Sequence, residues 1–452
     1  MHYHFIAIGG SAMHNLAIAL HQKGEKVTGS DDEIFEPSRS RLAAHGLLPN
    51  YQGWNPDVIT SDVDAIVLGM HAKLDNPELI KAQQLGLKVY SYPEFLYNQT
   101  KDKTRVVIGG SHGKTTTTAM VMHVLKSVGM PFDYMVGAKV NGFDTMVGLS
   151  NEAKVAVFEG DEYLTSPIDP RPKFHLYQPN IALVTGIAWD HINVFKTFPD
   201  YVWQFSHFAE LVEKNGSFIF FEEDAELQKI AAELRPDIKP LPYGTHNFEI
   251  ADGKTYLVDG ENRYALNIFG KHNLQNISGA LQICLQLGIS KQDFYTAIST
   301  FCGADRRLQQ IYQSDNGIAF YDFAHSPSKL KATIEAVRLQ FPDKKIVACM
   351  ELHTYSSLSS NFLEQYNGTM SQADEAYVFF SHHAIELKRL EEISVAQVEA
   401  SFNKDGLKAF DDVDALIDVL KNQKRSNFVL LFLSSGNFAG QNLKELASEI
   451  VG

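Results

Sequence analysis

The sequence predicts an α/β protein of three successive domains with parallel-sheet cores. Short, continuous apolar runs alternate with amphipathic stretches of helical length, the pattern of parallel strands joined by crossover helices. A length of 452 residues corresponds to about three domains at ~150 residues each. Two stretches, 98–104 and 302–305, look like joints, the first polar and the second at the end of a helical pattern. The expected domains are therefore residues 1–103, 104–306 and 307–452.

In chain order, residues 5–8 and Ala65–Leu68 read as buried strands of the first domain. Residues 105–108 and 182–184 do the same for the second. Residues 346–348, 376–380 and Phe428–Leu433 supply the third. One segment breaks the alternation: residues 256–266 read as two strands around a turn containing Gly260.

Composition narrows the function. Hydrophobic residues make up 44 % and charged residues 21 %, which excludes a wholly disordered or fibrous chain. The net charge of −14 opposes a nucleic-acid partner. The short basic clusters 101–105 and 421–425 read as solvated surface. Cys284, Cys302 and Cys349 are far apart and odd in number, which argues against a disulfide framework and fits a reducing compartment. The N-terminus lacks signal-peptide features, and the longest apolar run, Phe428–Leu433, is too short to span a bilayer. A cytoplasmic protein without membrane insertion is expected.

The strongest motif is Val107-Ile108-Gly109-Gly110-Ser111-His112-Gly113-Lys114-Thr115-Thr116. A strand enters a glycine-rich turn and then a helix, so backbone N–H groups and the helix N-terminus form an anion cradle. Lys114 can reach terminal phosphates, and the Thr115 or Thr116 hydroxyl can meet Mg²⁺. The usual spacing puts a glycine where Ile108 stands, so Gly109 falls one place late. Glu159 and His191 each follow an apolar run, at the strand ends where an open α/β sheet binds ligands. Singly, Glu159 reads as a helix-cap partner and His191 as a structural histidine. With the loop, they read as ligands of one Mg²⁺.

Other motifs stay open between two readings. Asn273 in His272-Asn273-Leu274-Gln275-Asn276 suits the edge of adenine or caps a helix. Arg306 and Arg307 can clamp a phosphate or form a solvated pair. Asp322 can accept from a ribose hydroxyl or cap the next helix. In the first domain, Ala7, Gly9 and Ala12 stand where a dinucleotide loop has glycines. Ser30-Asp31 ends the next strand, with Asp31 22 residues after Gly9, near the ~20 of a ribose-binding acid. A second diphosphate loop beside an ATP loop suggests two nucleotide-like ligands. A nicotinamide dehydrogenase leaves the Lys114 loop unexplained, and a nucleotide-driven switch protein is the other alternative.

Together these motifs resemble the Mur ligases, the ATP-dependent amide ligases of bacterial cell-wall synthesis, over essentially the whole chain. The resemblance implies Rossmann-like first and third domains around a central phosphate-loop ATPase domain with a parallel sheet. It implies ATP contacts by Gly110, Ser111, His112, Gly113, Lys114, Thr115, Thr116, His272, Asn273, Asn276, Arg307 and Asp322. Mg²⁺ would be held by Thr115, Glu159 and His191, with Lys114, Glu159 and His191 as the catalytic set.

Gly9-Gly10-x-x-Met13 and Thr28-Gly29-Ser30-Asp31 are similar to the branch that uses UDP-N-acetylmuramate. UDP-sugar contacts are then expected at Gly9, Gly10, Ser11, Ala12, Met13, Ser30, Asp31 and His71. His325, His353 and Tyr355 are expected near an amino-acid or peptide acceptor. Members of the branch add either L-alanine or L-alanyl-γ-D-glutamyl-meso-diaminopimelate. Phe35-Glu36-Pro37, residues 169–177 and Asp190-His191-x-x-Val194-Phe195 look like the tripeptide-adding member. Glu351-Leu352-His353-Thr354-Tyr355-Ser356-Ser357 is closer to the alanine-adding one. The reaction implied passes through an acyl phosphate, and the expected assembly is a monomer or weak homodimer.

Overall fold

The structure, a computed structural model, describes residues 1–70, 72–166, 169–189, 194–251 and 253–452. These fall into two compact units. One comprises residues 1–245 and 275–301, the other residues 246–274 and 302–452.

The first unit holds two parallel sheets. One has four strands in the order Lys26–Ser30, His2–Ile6, Ala65–Leu68, Lys88–Ser91, all parallel. The strand His2–Ile6 ends two residues before the apolar run 5–8 does, because Ala7 turns into the left-handed region at φ 66°. The other has seven strands: Lys239–Tyr243, Ser217–Phe221, Ile181–Val184, Thr104–Gly109, Val155–Glu159, Phe132–Met135 and Val147–Gly148. Only the Phe132–Met135/Val147–Gly148 pair is antiparallel. Thr104–Gly109 lies centrally, so the loop after it opens at the point where strand order reverses, the ligand-binding crevice of such sheets. Val106, Val107 and Ile108 have no exposed surface, which is why this strand reads as unbroken hydrophobicity.

The stretch 98–104 is not a free linker. The helix Tyr92–Thr100 takes in its first three residues, and a strand begins at Thr104. Nor is the basic cluster there solvated throughout. Arg105 is 2 % exposed. It donates to the carbonyls of Tyr177, Gln178, Thr100, Lys101 and Lys103, and pairs with Glu213 at 3.0 Å. At the other cluster, Arg425 is likewise tucked in, donating to Glu375 and to the Leu420 carbonyl.

The second unit contains a six-stranded sheet in the order Gln309–Gln313, Gly317–Asp322, Phe428–Leu433, Lys345–Leu352, Glu375–Phe380, Lys408–Phe410. All pairs are parallel except the first. Phe428–Leu433 is buried along its whole length at the middle of the sheet. The expected strand pair around Gly260 is present as Lys254–Asp259 and Asn262–Ala265, with a third strand, Phe248–Ala251, that lacks an apolar run to announce it. This three-stranded antiparallel sheet groups with the second unit. Thr255 Oγ1 donates to Gln340 at 2.8 Å, and Phe269 packs edge-on against Phe320 and Phe341.

Candidate active site

The loop between Thr104–Gly109 and the helix Lys114–Ser127 is shaped by two glycines in conformations that residues with a side chain rarely adopt. Gly110 has φ +123° and Gly113, at the helix N-cap, φ +83°. A Cβ on Gly110 would strike Thr185, and one on Gly113 would strike the Asn276 amide. The neighbouring strand end fixes the loop. Ser111 N–H donates to the Gly186 carbonyl at 2.9 Å, and Thr185 N–H to the Gly109 carbonyl at 3.1 Å. The Thr185 hydroxyl donates to the His112 carbonyl, and His112 Nδ1 sits 2.7 Å from the Ser111 carbonyl.

Lys114 folds back over this loop. Its ammonium donates to the Gly110 carbonyl at 2.6 Å and to Glu162 Oε2 at 2.7 Å. Burial alone would lower its pKa, but Glu162, Asp161 and Glu159 outweigh it and hold the ammonium above its ordinary value. Lys114 therefore stays charged. Glu162, fully buried, also accepts from the Tyr201 hydroxyl at 3.0 Å, and Tyr201 in turn meets the Ser111 hydroxyl at 2.9 Å. Glu162 and Tyr201 went unnoticed in the sequence. The sequence signal for Glu162 is the acidic run Glu159-Gly160-Asp161-Glu162 at a strand end.

Glu159 closes its strand beside the loop. One oxygen accepts from the Thr115 hydroxyl at 2.7 Å and the other from Gly137 N–H at 2.6 Å. Two hard oxygen donors thus meet in the first turn of the loop helix. That set fits Mg²⁺, which keeps waters and phosphate oxygens for its remaining positions. His191, the third expected ligand, lies outside the described residues. Among the described residues no group of three or more His, Cys, Asp or Glu is placed to hold a metal. Thr116 is buried in the same turn.

Asn276 lies against Gly113, as noted, whereas His272 and Asn273 belong to the second unit. The Asn273 amide donates to the Phe269 carbonyl at 2.8 Å from within the helix Lys271–Gln286, so Asn273 is not that helix's N-cap. His272 is held below its ordinary pKa by burial, against the pull of the Asp322 carboxylate.

In the first sheet, Gly9 N–H donates to Asp31 Oδ2 at 2.7 Å, and Asp32 N–H to Asp31 Oδ1 at 2.9 Å. The carboxylate is turned back on the glycine loop. Burial, aided by Asp32, pushes its pKa up to about 6. Ser30 is fully buried, its hydroxyl donating to Glu78, and Met13 is buried in the core. Gly9 and Gly10 are half-buried, while Ser11 and Ala12 are exposed at the start of the helix Ser11–Gln22. His71 lies outside the described residues.

In the second unit, Asp322 ends its strand and accepts from Thr333 Oγ1 at 2.5 Å. It caps nothing: the following helix, Pro327–Gln340, has Ser326 at its N-cap. Arg306 and Arg307 are not a simple solvated pair. Arg306 lies over Tyr321 at 5.5 Å and Arg307 over Phe323 at 4.5 Å. His325 Nδ1 is 3.1 Å from the Phe323 carbonyl, and Tyr366 donates to the His325 carbonyl at 2.5 Å. At the end of the next strand, Glu351 is buried, accepting from Ser434 and from Phe438 N–H at 2.9 Å. His353 lies 3.7 Å from Glu351, and Tyr355 is exposed.

Known proteins resemble the chain along its length. Residues 2–104 match the profile described as Mur ligase family, catalytic domain. Residues 108–284 match the Mur ligase middle domain, and residues 306–436 the Mur ligase, glutamate ligase domain. A UDP-N-acetylmuramate–L-alanine ligase from Limosilactobacillus reuteri is 30 % identical over 452 residues, 96 % of each chain. A murein peptide ligase structure from Psychrobacter arcticus shares the fold, with TM-score 0.64, 22 % identity and coverage of 100 % of this chain and 99 % of that one. A UDP-N-acetylmuramate–alanine ligase from Thermotoga maritima gives TM-score 0.69 at 21 % identity, covering 97 % and 96 %. The chain therefore belongs to the Mur ligase family, ATP-dependent ligases that form amide bonds.

Proposed function

We propose that the chain joins the lactyl carboxylate of UDP-N-acetylmuramate to the amine of L-alanyl-γ-D-glutamyl-meso-diaminopimelate. In this reading a carboxylate oxygen attacks the γ-phosphorus of ATP, and ADP leaves. The acceptor amine then attacks the acyl carbon, phosphate leaves, and the amine gives up a proton. The arrangement of Lys114, Thr115 and Glu159 around one glycine loop carries the proposal. Lys114 offsets the repulsion between two anions and stabilises charge on the transferred phosphoryl group. Thr115 and Glu159, with His191, would hold Mg²⁺, which supplies further charge neutralisation when bound. Residues 1–103 are read as the UDP-sugar domain, 104–306 as the ATP domain and 307–452 as the acceptor domain.

The tripeptide acceptor is supported by the motifs around residues 169–177. The exposed His353 and Tyr355 lie in the segment whose sequence is closer to the alanine-adding member. L-alanine is the second reading, favoured by the sequence relatives, which are named as L-alanine ligases. Phosphate release with Mg-ATP and UDP-N-acetylmuramate, comparing L-alanine with the tripeptide and weighing the product by mass spectrometry, separates them. Turnover chiefly with tripeptide is expected, and turnover chiefly with L-alanine transfers the assignment. K114M is expected to lower kcat about 10²–10³-fold, the loss typical of a group that stabilises developing charge.

A further inference from the structure

The geometry points to Glu162 as a positioning residue that competes with nucleotide phosphates for Lys114 and so tunes how tightly ATP is held. Lys114 and Glu162 form a buried ion pair at 2.7 Å, with side chains 14 % and 0 % exposed. The pair is braced. Tyr201, itself fully buried, donates to the other Glu162 oxygen, and Ser111 of the phosphate loop lies between Tyr201 and Ala188 N–H, which donates to its hydroxyl at 2.9 Å. The brace thus joins the loop, the turn after Val155–Glu159 and the helix Phe198–Glu210.

A phosphate approaching Lys114 meets an ammonium whose charge already faces a carboxylate. As the ammonium turns to phosphate, Glu162 must lose part of its interaction with Lys114 while staying buried, and the Tyr201 hydroxyl supports it there. Nucleotide affinity is then set by the difference between two partners of one ammonium. A carboxylate beside the phosphates also repels them directly.

This inference rests on the reading of Lys114 as a phosphate-binding lysine. It makes two predictions of opposite sign. E162Q keeps an acceptor for Lys114 and removes the competing charge, so the nucleotide should bind about ten-fold more tightly. Y201F removes support for the carboxylate when Lys114 turns away, so binding should weaken about three-fold. A purely structural role predicts weaker binding in both.

The test is calorimetric titration of the full chain with Mg²⁺ and the non-hydrolysable β,γ-imido analogue of ATP, with thermal melts to confirm folding. Tightening in E162Q with weakening in Y201F supports the inference. Unchanged or weaker binding in E162Q overturns it. If E162Q does not fold, E162D decides, because it draws the carboxylate back from Lys114 by one methylene: tighter binding supports the inference, and unchanged or weaker binding overturns it. K114M serves as the control for the underlying reading. Wild-type affinity in K114M defeats the phosphate-lysine assignment itself, a different failure from that of Glu162.

Discussion

Gly9 and Gly113 are both required, for different reasons. Gly9 has no positive φ to maintain; only space holds it, since a Cβ would lie 2.8 Å from Asp31 Oδ2 and 3.0 Å from Ile34. Gly113 is held by space and by φ +83° together. G113A should therefore cost at least about 1–2 kcal/mol from the left-handed backbone alone. Urea denaturation would measure it, and adding N276A should not recover that part. Asp31 gives a pH signature. Its folded pKa, about 6, lies above the ordinary carboxylate value near 3.9. The folded state holds the proton longer, so its contribution is complete below about pH 4 and lost as pH rises through about 6. Against wild type, D31N should lack that decline, as read from thermal melts between pH 4 and 7. The sequence identified Asp31 as a notable acid, but not its partner, because a hydrogen bond to Gly9 N–H depends on how two loops meet.

At the scale of elements, Arg105 joins a strand to the backbone around it. Its guanidinium answers carbonyls at the end of the helix Tyr92–Thr100 and at residue 177, ahead of the strand Ile181–Val184. R105M keeps the stem and leaves those acceptors unmatched, so it should destabilise by about 1–3 kcal/mol, seen as a lower urea midpoint. In sequence this residue stands in the charged cluster 101–105, a pattern that implies solvated surface. A local pattern reports charge density; it does not report that a chain 72 residues further on presents its carbonyls. The strands themselves were legible, since burial on both faces leaves a run such as 106–108 or Phe428–Leu433 no room for polar residues. The phosphate loop was legible for a related reason, its glycines and lysine being adjacent in sequence. Glu162 and Tyr201 were not, because their value lies in meeting Lys114 across 48 residues and Ser111 across 90.

At the scale of the whole molecule, three parallel-sheet cores match what the alternation of runs and helices implies. The small antiparallel sheet does not follow chain order, because residues 246–274 group with 302–452. A fragment ending at residue 304 would bare Phe269, which packs on Phe320 and Phe341. Such a fragment should bind a hydrophobic dye and aggregate where the full chain does not, with dye fluorescence and light scattering as the readouts. On the ribosome the same arrangement imposes a delay. Residues 246–274 emerge before any of the partners that cover them. At ~5–20 residues per second, the stretch up to Phe428–Leu433, the strand at the middle of that unit's large sheet, takes roughly ten to thirty seconds to synthesise. During that interval the nascent chain carries a half-made core in the open, and a chaperone that recognises exposed aromatic side chains has its opportunity there.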